Sequence, residues 1–149
     1  MSVKSFCFQD REEPLRLHGV QYPGSSPYLI MPIFTLHTNL CQSAIPQTFM
    51  SDLSQLLEQA MDVPAKFFAV IVHTNQQMTF AGTKDRCGLC SLQSIGKTGG
   101  PRNENYSKIL GEFLNKQLGI PSDRVYITFI DVNGANVGWN GSTFAGVAL

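Results

Sequence analysis

The joins "MDVPAKFFAVIVHT" (61–74) and "LGIPSDRVYITFID" (118–131) constrain the fold of this chain more than any other feature, because they are one event written twice. In each, a helical period ends, a proline follows (Pro64, Pro121), and a β-rich run begins a few residues later. Upstream of the first join, "IFTLHT" (33–38) alternates as a strand. Ile45, Phe49, Leu53, Leu56, Leu57 and Ala60 then recur at helical spacing, with Ser43 as the expected cap and Pro46 in the expected first turn. Upstream of the second, "CGLCSLQSI" (87–95) reads as a strand, followed by a Gly-rich loop. A helix then shows Tyr106, Ile109, Leu110, Phe113, Leu114 and Leu118 on one face, and Gly119 and Pro121 end it. The chain is therefore a duplicated β-α-β unit. Right-handed crossovers make the strands parallel within each unit, and two units give an α/β (α+β) fold: a four-stranded mixed sheet with two helices on one face.

That arrangement leaves the second face of the sheet to be explained. In "KFFAVIVHT" (66–74), Phe67, Ala69 and Ile71 alternate with Phe68, Val70 and Val72, so both faces of the strand are apolar and both are expected to be covered. Two helices cover one face, and self-association is the simplest cover for the other. A short strand is also expected at "QMTFA" (77–81). The pieces "NVGWN" and "STFA" near the C-terminus read as edge strands that pair with neighbouring subunits. Residues 1–31 hold Pro14, Pro23 and Pro27, mixed charge and no sustained period, and are expected to be a poorly ordered extension to a domain spanning 32–149.

Composition narrows the function. Eleven basic residues balance eleven acidic ones, and no basic block appears, which argues against a nucleic-acid partner. No apolar run approaches the ~18 residues of a membrane span, and charges at 10–13 interrupt any signal-peptide core. The four cysteines lack the paired spacing of a zinc site. Cys87 and Cys90 have the C-x-x-C spacing of a redox pair, but residues three apart in a strand point to opposite faces with Cα atoms about 10 Å apart, beyond disulfide reach. Two buried thiols are expected there.

The segments "MPIFTLHTN", "CGLCSLQSIGK", "YSKILGEFL", "GIPSDRVYITFID" and "NGANVGWNGSTFA" resemble the macrophage migration inhibitory factor family of the tautomerase superfamily, from Pro32 to about Ala145. The resemblance implies a homotrimer with sites between subunits and keto–enol tautomerisation of small aromatic 2-keto acids or dopachrome. It also implies a cytokine role at a cell-surface receptor, with a cytoplasmic pool secreted without a signal peptide. It implies no metal and no cofactor. Pro32 would be the catalytic base, through its free N-terminal nitrogen, and Tyr126 would assist near it. Substrate would meet Ser94 and Ile95, and an apolar wall of Val137, Trp139 and Phe144. The chain departs from the family pattern at Val63, where a lysine binds the substrate carboxylate, with Lys66 three residues on as a substitute. Further departures are Phe67 and Ile130, where the family has tyrosines, and Thr128, where it has an asparagine. An internal Pro32 is a tertiary amide with no basic lone pair. Enzyme activity therefore requires that residues 1–31 be absent, through translation from Met31 or by proteolysis. If they stay, the fold is a non-catalytic receptor-binding module.

Overall fold

The computed structural model describes residues 30–144, so residues 1–29 of the predicted extension (1–31) and the tail after Phe144 lie outside the described residues. Four strands, β1 (Ile33–Thr38), β2 (Ala69–His73), β3 (Gly88–Ser94) and β4 (Val125–Asp131), form one sheet in the order β2-β1-β3-β4. β1 runs parallel to β2 and β3 parallel to β4, while β1 and β3 meet antiparallel at the centre. Helices α1 (Phe49–Met61) and α2 (Gly100–Leu118) are the two crossovers. The duplicated architecture expected from the repeated joins is the one observed.

Each join has the same local cause. Pro64 and Pro121 each open a single 3-10 turn, Ala65–Phe67 and Ser122–Arg124, because a ring-fixed φ suits the start of a turn and the missing N–H costs nothing there. The turn ends in extended backbone and the strand follows. α2 stops at Gly119, whose φ of +64° is the left-handed cap that glycine adopts without strain.

The core lies between the helices and one sheet face. Phe34 and Leu36 of β1, Cys90 and Leu92 of β3, Phe49, Leu53 and Leu57 of α1, and Tyr106, Leu110 and Leu114 of α2 are buried in a single cluster. Tyr106 places its hydroxyl within this packing only because it donates to the Lys97 carbonyl at 2.8 Å, and burial raises the pKa of that phenol above its usual value. The opposite face carries three in-register rows. These are His73, His37, Leu89 and Tyr126; then Ile71, Thr35, Ser91 and Thr128; then Ala69, Ile33, Gln93 and Ile130. Ile71, Leu89, Tyr126 and Ile130 are large apolar side chains left exposed on it. The expected strand with two apolar faces is present, and one chain leaves its second face open.

Three local expectations need correction. Ser43 does not cap α1. It lies in a 3-10 turn (Gln42–Ala44) and pairs with the Cys41 thiol at 3.0 Å; Pro46 precedes the helix, which begins at Phe49 after Thr48. No strand forms over 77–81, where Phe80 makes one isolated bridge to Thr83. The first residues of the predicted strand 66–74 belong to the 3-10 turn. The C-terminal pieces are strands as expected, β5 (Gly138–Trp139) and β6 (Ser142–Thr143), and within the chain they pair with each other. They are joined by Asn140 and Gly141 at positive φ, the two-residue turn that this dipeptide favours.

The stretch 80–87 is held by side chains instead of a sheet ladder. The Arg124 guanidinium donates to the carbonyls of Arg86, Phe80 and Asp85 at 3.0–3.1 Å and lies over the Phe80 ring. Asn39 donates to Lys84 and Asp85 and accepts from the Cys87 N–H. Arg124→Ala is expected to cost about 1–3 kcal/mol, since it removes several charge-assisted bonds at once. Amide hydrogen exchange is the check. Amides over 80–87 should exchange much faster while those of β1 keep their protection; unchanged exchange at 80–87 would show that the clip is dispensable.

Candidate functional site

The site forms where β1 begins. Pro32 is under 2% exposed, and its carbonyl accepts from the Ala69 N–H at 3.0 Å, which ties it to β2. Its nitrogen is in peptide linkage to Met31, and Ile30 packs against the core beside it. Pro32 has the parity of Phe34 and Leu36, so its ring faces the helices. The pairing of Ile33 with Gln93, taken one residue further, sets Pro32 opposite Ser94. Ser94 is fully buried and Ile95 nearly so. The Ser94 carbonyl accepts from Val132 at 2.9 Å, and Gly96 donates to the Asp131 carboxylate at 2.9 Å, which fixes the end of β3 against the end of β4.

On the β2 side, Phe67 is half-buried and Lys66 is exposed with its ammonium 5.1 Å from the Phe67 ring centre. Val63 is buried in the core cluster. The predicted substitute cation is therefore beside the aromatic at the tyrosine position, while the residue at the lysine position is turned inward.

The hairpin gathers the predicted apolar wall. Trp139 and Phe144 stack with centroids 6.2 Å apart, and the Phe144 N–H donates to the Val137 carbonyl. Gly134 permits this approach, since a Cβ there would lie 3.0 Å from that of Phe144. Trp139 remains 59% exposed. Val137, Trp139 and Phe144 thus form one platform on a short hairpin.

Tyr126 is not brought to Pro32. It pairs with Leu89, which pairs with His37, five residues along β1 from Pro32, or roughly 16 Å. It also sits on the opposite face, 68% exposed, with its ring against Phe80. Thr128 and Ile130 share that face with it. The predicted residues therefore divide into three sets: Pro32, Ser94, Ile95 and Lys66 by the start of β1, Val137, Trp139 and Phe144 on the β5–β6 hairpin, and Tyr126 on the open face.

Residues 31–145 match the family described as macrophage migration inhibitory factor. The chain belongs to that family. The macrophage migration inhibitory factor of Mus musculus is 55% identical over 115 residues, which is 77% of this chain and 100% of that protein. That of Xenopus tropicalis is 53% identical over the same shares. Among solved structures, the macrophage migration inhibitory factor from Trichinella spiralis superposes with a TM-score of 0.73 at 41% identity, covering 75% of this chain and 99% of the other. A homologue from Prochlorococcus marinus gives 0.69 at 30% identity, covering 75% and 98%. Tautomerase and cytokine activity are general properties of the macrophage migration inhibitory factor family, as are self-association and action on small molecules. The matched region begins one residue before Pro32.

Among the described residues no disulfide forms. Cys41, Cys87 and Cys90 are all unpaired. Cys87 and Cys90 are both buried, and burial pushes the Cys90 thiol up to about 12, so it is protonated and inert at neutral pH. Among the described residues, no cluster of three or more His, Cys, Asp or Glu is placed to hold a metal, and no helix is long and apolar enough to cross a membrane. A cavity of about 360 Å³ lies between the end of α1 and the start of α2, lined by Asp62, Lys97, Arg102 and Tyr106 among others, and involves none of the predicted site residues. Sequence reasoning placed Ser94 against substrate and missed the state of its side chain: the Ser94 hydroxyl is buried with no hydrogen-bond partner among the described residues.

Proposed function

We propose that this protein is a keto–enol tautomerase of small aromatic 2-keto acids or dopachrome-like substrates, with the Pro32 nitrogen as base in a chain that begins at Pro32. The single observation that carries this is the complete burial of Pro32 at the corner that also holds Ser94 and Ile95.

Tautomerisation takes a proton from the carbon next to a carbonyl and returns it to the other end of the enol system. The base must be largely unprotonated at working pH yet able to hold a proton for the return. A secondary amine in an apolar setting meets both needs, because desolvation disfavours its charged form. The substrate ring would rest on the platform of Val137, Trp139 and Phe144. Its carboxylate would meet the backbone at Ile95 and the Lys66 ammonium. With Val63 in the lysine position, loss of one charge-assisted contact of roughly 1.5–3 kcal/mol weakens acid binding by tenfold or more. Tyr126 acts from another copy. Its exposure on an open apolar sheet face, far from Pro32 of its own chain, supports a homotrimeric assembly in which sheets cover one another. In this reading the protein also signals from outside the cell at a surface receptor, reached without a signal peptide.

A second reading has an observation of its own. While residues 30 and 31 are attached, the Pro32 nitrogen is an amide and Ile30 packs on the core beside it. That form is a non-catalytic receptor-binding module on the same fold. The two readings are separated by assaying phenylpyruvate enolisation in the full chain and in a chain beginning at Pro32. Turnover by the shortened chain alone is expected. Equal turnover by both would remove Pro32 from the mechanism, and none from either would favour the binding module.

A further inference from the structure

The two halves of the fold end their first strands in the same way. Thr38 closes β1 and Ser94 closes β3; both face the helices, and they are the two fully buried polar residues among those described. Thr38 stands opposite Gly88, the residue that opens β3. Ser94 stands opposite Pro32, the residue that precedes β1. The Thr38 hydroxyl uses its position fully. It donates to the Cys87 carbonyl at 2.8 Å, so it sits on the peptide group joining Cys87 to Gly88, and it accepts from the Leu40 N–H at 3.3 Å. By the same register the Ser94 hydroxyl stands by the junction of Met31 and Pro32. It has no hydrogen-bond partner among the described residues. A buried hydroxyl without a partner is costly and uncommon.

We infer that the Ser94 hydroxyl is a positioning residue for the Pro32 amine: it has no partner among the described residues, and the proline amide beside it has neither a hydrogen to donate nor a basic lone pair to accept. The inference rests on the tautomerase reading and adds a residue to it. When the chain begins at Pro32, the nitrogen gains one hydrogen as a free amine and two when protonated. The Ser94 oxygen accepts from the ammonium form, and its O–H turns to the lone pair of the neutral form. The bond to the charged form is the stronger, so Ser94 holds the amine in place and keeps burial from lowering its basicity too far. Substrate contact through the backbone at Ile95 then follows from the same strand end.

The charged side chains on the surrounding elements include Asp52 and Glu58 of α1, Lys66 before β2, Lys97 after β3, Arg102, Glu104, Lys108, Glu112 and Lys116 of α2, and Asp131 at the end of β4. Glu58 is already bonded to the Ala65 N–H and Asp131 to the Gly96 N–H. None is changed by substituting Ser94.

The test uses Ser94→Ala and Ser94→Thr in two backgrounds. In the full chain, Ser94→Ala is expected not to lower the urea midpoint and to raise it if anything, because it removes an unpaired buried hydroxyl and loses no bond, whereas Thr38→Ala lowers it. In a chain beginning at Pro32, with ¹⁵N-labelled proline, the amine is titrated by NMR. Ser94→Ala is expected to lower its apparent pKa by about one unit, and Ser94→Thr to restore it, since threonine fills the matching place at position 38. Identical titrations in wild type and Ser94→Ala would overturn the inference, as would a fall in the full-chain midpoint like that of Thr38→Ala. The titration is read without substrate. A shortened chain that shows the Ser94-dependent titration but no turnover would refute the tautomerase reading and leave the contact standing.

Discussion

In a chain beginning at Pro32, Pro32→Gly is expected to reduce phenylpyruvate turnover by about 10²–10⁴-fold, the usual contribution of a positioned general base. Glycine keeps a terminal amine, so the loss would measure what the proline ring supplies: a secondary amine held in a ring and packed against the helices so that water is excluded from one side. The effect should fall on kcat/KM with the fold intact, because Ile33 and the rest of β1 keep their pairing to Ala69 and Gln93. The check is steady-state kinetics beside circular dichroism and sedimentation. Turnover within threefold of the parent would mean that another group removes the proton, and the assignment of the base would fall.

Phe34→Ala should be the most damaging single truncation in the core, at about 3–5 kcal/mol. Phe34 is completely buried on a central strand, with Val70 and Leu92 directly beside it in register and the helices above. Neither neighbouring strand can collapse into the space without breaking its own ladder, so the cavity persists and its cost adds to the lost transfer energy. A domain of this size holds only about 5–15 kcal/mol in total. Urea denaturation should show a large fall in midpoint with little change in slope. A shift equivalent to less than about 1 kcal/mol would show that the core repacks around the gap.

The backbone plan was legible because it was written twice. Two apolar helical stripes, two proline joins and four β-rich runs leave few arrangements, and the observed strand order is one of them. Errors fell where short-range chemistry competes with periodicity. Ser43 has the sequence appearance of a cap, but its hydroxyl pairs with Cys41 and the local backbone closes a 3-10 turn instead. The run 77–81 has strand composition but no strand beside it, and Arg124 takes the Phe80 carbonyl. The Asn140–Gly141 dipeptide between Trp139 and Ser142 was a hairpin signal available in the sequence, and it accounts for the pairing of β5 with β6.

The candidate site was legible only through resemblance. Nothing in the spacing of Pro32, Ser94 and Trp139 announces a pocket, and Tyr126 belongs to a surface whose meaning depends on a second copy. Physical pattern did reach the neighbouring fact. A strand apolar on both sides was expected to need cover on both; Ile71 of that strand is exposed, as are Leu89 and Ile130 of the same sheet face, and no described residue covers them. The unpartnered hydroxyl of Ser94 had no sequence signal, since a serine at a strand end is ordinary.

The matched strand ends at Thr38 and Ser94 have one further consequence. The sheet has an approximate twofold about its centre, so it possesses two equivalent corners. Connectivity makes them unequal. β3 can be entered only from the segment that leaves β2, so the corner at Gly88 always holds a continuous peptide, and Thr38 and Asn39 bond the Cys87 peptide groups there. β1 comes first, and only its corner can ever be a chain end. Duplication of the unit thus produced a division of labour: one copy of the corner anchors the polypeptide, and the other is free to expose an amine.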